Sequence, residues 1–178
     1  FFIPGMTAGH SQGTQLNLLL ASKCEERGWV LGVGSQRRDL DSGDFTEWTE
    51  FRRRFPNLVS VGNIGLAQIL HRSTAELLRL TEAMGSTALA VHLNALQEIL
   101  QPEGTPQFKG GLQALERLCK ESPRPVIVKE TGCGFSTKTL KRLSNLGVSA
   151  IDLSGRGGTH WGRIEGKRAP ANSLQSTA

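Results

Sequence analysis

The chain has 178 residues, 38% of them hydrophobic and 21% charged, which fits one domain with a substantial core and lies far from the composition of disordered chains. No apolar run approaches the roughly 18 residues that cross a bilayer, and no charged segment followed by an apolar run opens the chain, so neither a membrane span nor a secretory signal is expected. The net charge of +5 favours anionic partners; the arginines gather as a loop pair, Arg37 and Arg38, and a helix-end triplet, Arg52 to Arg54, which favours phosphorylated small molecules over nucleic acid.

The predicted elements alternate. Phe1 to Ile3 reads as the end of a strand, followed by a loop at Gly5 to His10 and a helix from Gln15 to Arg27. Trp29 to Val33 is a strand, residues 44 to 54 are weakly helical, and Leu58 to Val61 is a strand ending at Gly62 to Gly65. A helix is expected from Leu66 to Met84 on the apolar spacing of Leu66, Ile69, Leu70, Leu77, Leu78 and Leu80. There follow a strand at Ala88 to His92, a helix at Gly111 to Cys119, a strand at Pro125 to Lys129, a helix at Thr137 to Leu146 and a strand at Ala150 to Ser154. After Gly166 the sequence turns polar.

Strands alternating with helices argue for a parallel sheet of βα units, an α/β fold. Thr7, Ser35, Asn63, His92, Lys129 and Ser154 each sit just past an apolar run, at intervals of 28, 28, 29, 37 and 25 residues, the unit length of a (β/α) barrel or a doubly wound sheet. In both folds ligands bind at the C-terminal strand ends. Six units are two fewer than an eight-stranded barrel, which typically takes about 250 residues. The expectation is an incomplete (β/α)8 TIM barrel over residues 1–168 with a loose end at 169–178. A start at Phe1 instead of Met suggests an internal piece of a longer protein.

The densest chemistry lies in His92-Leu93-Asn94-Ala95-Leu96-Gln97-Glu98, at a strand end. Lys129, closing an apolar strand at the ligand face, must find an anion or water. The Gly-rich runs Thr131 to Gly134 and Gly155 to Thr159 can turn consecutive N–H groups toward an anion, although neither matches a P-loop or a GxGxxG fingerprint. Cys133 reads as an unactivated thiol and His71 as a helix histidine without a catalytic role. Cys24, Cys119 and Cys133, three in number and without CxxC spacing, indicate neither a disulfide framework nor a zinc site, and a reducing cytoplasm is the expected compartment.

Gly5-Met6-Thr7-Ala8-Gly9, Gly34-Ser35-Gln36-Arg37, Asn63-Ile64-Gly65, His92 to Glu98 with Gln101-Pro102-Glu103-Gly104, Val128-Lys129-Glu130 and Ser154-Gly155-Arg156-Gly157-Gly158-Thr159, in that order, resemble the type 2 isopentenyl diphosphate isomerases. The resemblance covers residues 1 to about 168. It implies an FMN-dependent enzyme of isoprenoid synthesis that isomerises isopentenyl diphosphate to dimethylallyl diphosphate, with Mg²⁺ on the diphosphate and NAD(P)H reducing the flavin without net redox turnover. It further implies that Gly5, Met6, Thr7, Ser35, Asn63, Lys129, Ser154 and Thr159 contact FMN and that Ser35, Gln36, Arg37, Gln97 and His10 meet the substrate. His92, Asn94 and Gln97 would serve catalysis, Glu98 would bind Mg²⁺, and the protein would form a homo-oligomer, a tetramer or octamer. A segment with an Arg-Lys pair ahead of Phe1 and two further βα units holding the FMN phosphate are implied to lie outside this chain. Two other readings stand beside this one: an FMN-dependent oxidoreductase on the same barrel, and a truncated, inactive segment.

Overall fold

Leu31, Ile64, Leu89, Val91 and Val128 have no exposed surface, and each belongs to a short apolar run that can only bury itself between neighbours. In the computed structural model these runs form six parallel strands: β1 (Phe2–Ile3), β2 (Val30–Gly32), β3 (Ser60–Gly65), β4 (Ala88–His92), β5 (Val126–Lys129) and β6 (Ala150–Asp152). Residues 1–5, 7, 10–155, 157 and 160–169 are described. The helices between the strands are α1 (Ser11–Arg27), α2 (Arg37–Ser42), α3 (Thr46–Arg54), α4 (Leu66–Ile69), α5 (Thr74–Met84), α6 (Ala95–Leu100), α7 (Gly111–Glu121) and α8 (Thr137–Ser144), with α9 (Trp161–Arg168) after β6.

The strands lie in chain order, β1-β2-β3-β4-β5-β6, every neighbouring pair parallel. This corrects the expected barrel. A barrel needs pairing that runs all the way round, whereas among the described residues β1 and β6 are two open edges of a six-stranded α/β sheet.

Side chains alternate across each strand, and the two faces of this sheet differ. Ile64, Leu89, Val91, Val126 and Val128 pack with Leu77 and Leu80 of α5, Leu115 and Leu118 of α7 and Leu143 of α8 in the main core. A second core joins Leu31 and Val33 to Ala21 and Cys24 of α1 and Trp48 and Phe51 of α3. The opposite face carries Val61, Ala88 and Ala90 in a small cluster with Val30 and Ile127 and no helical residue. Asn63, His92, Lys129 and Asp152 follow these small residues on the same face, because the register pairs Asn63 with Ala90, His92 with Lys129, and Lys129 with Asp152. The pleat therefore aims one polar group from each of four strands at the same end of the sheet.

Several boundaries differ from the sequence expectation. The helix expected over 66–84 is two, α4 and α5, because Ser73 caps α5 with a capping box to Glu76, which requires extended backbone where one helix would have continued. His71 accordingly lies between them, and its Nε2 meets Gln107 Oε1 at 2.7 Å. The third strand lies at 60–65 instead of 58–61, since Gly62 and Gly65 are ladder residues and not turn residues. The short helices α2 and α6 stand where polar loops were expected, and α9 occupies a segment to which the sequence assigned no element.

Candidate active site

At the C-terminal ends of the strands a cavity of about 1030 Å³ opens. Gly5, Ser35, Asn63, His92, Lys129 and Ser154 all line it, one from each strand end, as do Arg37, Asn94, Gln97 and Glu98. Five of the six polar residues spaced at that interval in the sequence, Ser35, Asn63, His92, Lys129 and Ser154, thus share one surface, with Gly5 standing at the first strand end in place of Thr7.

Asn63 is held from below. Its Nδ2 donates to the Val33 carbonyl at 2.9 Å, and its backbone N–H donates to Gln36 Oε1 at 3.0 Å. That leaves Asn63 Oδ1 buried without a partner. Both ring nitrogens of His92 are likewise buried and unpartnered. Burial, and secondarily the charge of Lys129, push the His92 pKa down to about 4, against the contrary pull of Asn94 and Glu98, so His92 is a neutral imidazole at pH 7. Lys129 Nζ donates to the carbonyl of Glu130 at 2.9 Å; burial lowers its pKa while the charges of Asp152 and Glu130 oppose the shift.

Opposite these groups lies α6. Glu98 is 4% exposed, and both its oxygens are engaged: Asn94 Nδ2 donates to Oε1 at 3.0 Å and the backbone N–H of Thr105 to Oε2 at 2.6 Å. The loop Gln101 to Gly104 turns back so tightly that a Cβ on Gly104 would lie 2.0 Å from the Glu98 carbonyl oxygen. This loop supplies the Glu103 carbonyl and Thr105 Oγ1, which accept from Arg37 at 3.4 Å each, while Arg37 Nε stands 3.7 Å from Asp41. Such long contacts leave the guanidinium able to turn to a stronger anion.

Gln97 Nε2 donates to Glu165 Oε1 at 3.5 Å. Glu165, 2% exposed, and Trp161 line the cavity; sequence reading missed both. The available signal was the helical spacing of Trp161, Ile164, Glu165 and Arg168, hidden behind a Gly-rich run and a polar composition. Ser154 is the single non-glycine residue with positive φ among the described residues, at 39°. Its N–H donates to Asp152 Oδ1 at 3.0 Å and its carbonyl accepts from Gly132 N at 2.9 Å. A left-handed residue of this kind costs on the order of 1 kcal/mol and is held here against the cavity.

Not every expected residue faces this space. Gln36 has no exposed surface, its side chain reaching Asn63 N and Met84 Sδ; it braces β3 from beneath instead of meeting a substrate. Thr7 and His10 line a separate recess of about 40 Å³ that Ser35 shares. Thr7 Oγ1 donates to Asn17 Oδ1, and His10 Nδ1 accepts from Gln12 N at 3.1 Å, capping α1. Met6 and Thr159 lie outside the described residues. The loop Thr131 to Gly134, expected as an anion cradle, is already filled: the N–H groups of Thr131 and Cys133 donate to Glu130 Oε2 at 2.7 and 2.6 Å.

The chain is similar to isopentenyl-diphosphate delta-isomerases. It is 51% identical over 174 residues to the protein of that name from Bdellovibrio bacteriovorus, covering 97% of this chain and 50% of that one. With the Legionella pneumophila subsp. pneumophila protein the identity is 51% over 176 residues, 98% of this chain and 52% of the relative. With that of Ignicoccus hospitalis it is 39% over 170 residues, 94% and 47%. The chain spans about half the length of the curated relatives it matches. No protein-family model matches the sequence. Among solved structures, the Amycolatopsis orientalis BexX/CysO complex aligns with a TM-score of 0.49 at 17% identity, over 82% of this chain and 56% of that one.

Two kinds of ligand suit the lining. The unpartnered Asn63 Oδ1 and the amine of Lys129 offer an acceptor and a donor to a flat heterocycle such as the pyrimidine edge of a flavin, in which an N–H stands between two carbonyls. Arg37 offers charge to a diphosphate. A divalent cation fits less completely: among the described residues no group of three or more His, Cys, Asp or Glu could hold one, so Mg²⁺ would have to arrive on phosphate oxygens and use Glu98 as one carboxylate ligand. The volume, at the upper end of the roughly 300–1,000 Å³ of ligand sites, can accept two such ligands together.

Proposed function

We propose that this chain carries the catalytic cavity of an isopentenyl-diphosphate isomerase of the FMN-dependent type. The reaction is a 1,3-allylic proton shift: a proton adds to the terminal alkene carbon and another leaves C2, the double bond moves inward, and no electrons are gained or lost. The single observation that carries the reading is the convergence of Asn63, His92, Lys129, Gln97 and Glu98 on one cavity in a chain 51% identical to proteins named for this reaction.

Reduced FMN, when bound, would supply an electron-rich ring able to support positive charge on the substrate. The chain's own groups do the rest. Asn63 and Lys129 bind the ring edge, the Lys129 ammonium favouring the negative charge that reduction leaves there. Arg37 binds the diphosphate, with Glu98 on its Mg²⁺. Gln97, backed by Glu165, holds the alkene, and neutral His92 with Asn94 forms a wall that adds no second positive charge next to a cationic transition state. Val61, Ala88 and Ala90 precede these groups on the same sheet face as a small buried cluster and add no polar group to it.

The test is flavin titration of the chain and of Lys129→Ala, read by quenching of FMN fluorescence and by the flavin reduction potential. The variant should bind FMN more weakly and make it harder to reduce. Equal affinity and equal potential would remove Lys129 from the flavin, and stoichiometric flavin reduction by substrate would favour an oxidoreductase.

A further inference from the structure

One side chain joins two parts of the cavity wall that the sequence keeps 65 residues apart. Arg168, in the last turn of α9, donates through Nη1 to Glu165 Oε2 at 2.7 Å and through Nη2 to Glu103 Oε1 at 2.8 Å. Glu165 is buried, and its other oxygen accepts from Gln97; Glu103 belongs to the loop whose carbonyl meets Arg37. The guanidinium is a planar fork whose two terminal nitrogens can hold two carboxylates at fixed angles, which an ammonium cannot do.

We propose that Arg168 is a positioning residue: it fixes the rotamer of Glu165 so that Oε1 points at Gln97, and through Glu103 it holds the loop 101–105 against α9. This deepens the isomerase reading and rests on it for its kinetic consequences. The geometry follows from the charge arrangement. A carboxylate as buried as Glu165 needs a charged partner. Among the described residues its ion-pair partner is Arg168, at the i,i+3 position of the same helix. The Gln97 amide at 3.5 Å is too long a contact to orient the carboxylate alone. Arg168 itself is half exposed and lines the cavity together with Glu103, Glu165 and Gln97, so a direct contact with substrate is the alternative that its variants must separate from positioning.

Three variants separate positioning from substrate binding. Arg168→Gln should lower kcat on the order of 10²-fold, the scale of lost orientation, with KM for isopentenyl diphosphate changed by less than about threefold. Arg168→Lys should restore most of that loss by holding Glu165 alone. Glu103→Gln, which releases the loop but leaves the Arg168–Glu165 pair, should cost less than Arg168→Gln. A rise in KM with kcat unchanged would make Arg168 a diphosphate ligand and overturn the proposal. A structural readout decides the matter independently of turnover: the side-chain amide resonances of Gln97 in ¹⁵N-labelled protein should shift in Arg168→Gln and remain near their parent positions in Arg168→Lys. If the parent chain isomerises nothing, the functional reading fails while this arm still tests the positioning; amide resonances of Gln97 that ignore Arg168→Gln overturn the positioning whatever the activity.

Discussion

His92 shows how little of a residue's chemistry its letter conveys. A histidine at a strand end in a polar run invites an acid–base role, yet burial holds its pKa at about 4, so near neutral pH the ring is uncharged and does not readily take a second proton. A consequence for stability follows from the sign of that shift. Unfolded, the imidazole titrates near 6.5; folded, it resists protonation down to about 4, so between those values the unfolded state binds the extra proton and stability falls as pH falls. The full contribution is present above about pH 6.5 and is spent by about pH 4, amounting to at most about 3 kcal/mol. Urea denaturation at pH 7 and pH 4.5 should show a larger loss for the native chain than for His92→Gln; equal losses would mean that the imidazole is protonated freely in the fold. The same contrast separates what was legible at this scale from what was not. Asn63, Lys129 and Ser154 announced themselves by position after an apolar run. Gln36, one residue past an equally placed serine, turned inward because Asn63 N needed a buried acceptor, and that need belongs to a strand 27 residues away.

At the scale of elements, long apolar runs and strong helix patterns were legible, and short elements stabilised by distant partners were not. α6 has six residues, too few to form on propensity alone. It exists because Glu98 accepts from Thr105 N at its far side and because α9 packs on it, Gly162 lying where a Cβ would strike Leu96. The split between α4 and α5, by contrast, was written locally in Ser73 and Glu76 and could have been read as a capping box. The glycine of Gln101-Pro102-Glu103-Gly104 has a physical reason here: a Cβ at Gly104 would fall 2.0 Å from the Glu98 carbonyl oxygen. Gly104→Ala must therefore push the loop off α6, displacing the acceptors of Arg37 and the donor to Glu98 together. Calorimetric titration with Mg²⁺ and inorganic diphosphate should show affinity reduced by at least about tenfold, some 1.4 kcal/mol, with far-ultraviolet circular dichroism unchanged. Undiminished affinity would show that this loop does not organise the anion site.

Across the whole molecule, the sheet divides its labour by face. Large aliphatic side chains on one face bind the helices; the other carries a smaller cluster of Val61, Ala88 and Ala90 with Val30 and Ile127, and the polar residues that follow it gather at one end. The α/β class and the end of the sheet at which the cavity opens were legible from the periodicity, whereas closure of the sheet was not, because strand count and strand order do not determine whether the two edges meet. Among the described residues no helix is long and apolar enough to cross a membrane, in line with a composition that lacks long apolar runs. Under the proposed function, the cavity at the strand ends would carry out the allylic isomerisation. The most direct measurement is ¹³C NMR of labelled isopentenyl diphosphate incubated anaerobically with the chain, Mg²⁺ and prereduced FMN, beside Gln97→Ala. Conversion to dimethylallyl diphosphate is expected with the native chain, at a rate about 10²-fold lower in the variant, the order expected for a lost positioning contact. Flavin and isopentenyl diphosphate both bound, with no dimethylallyl diphosphate formed, would contradict the proposed function.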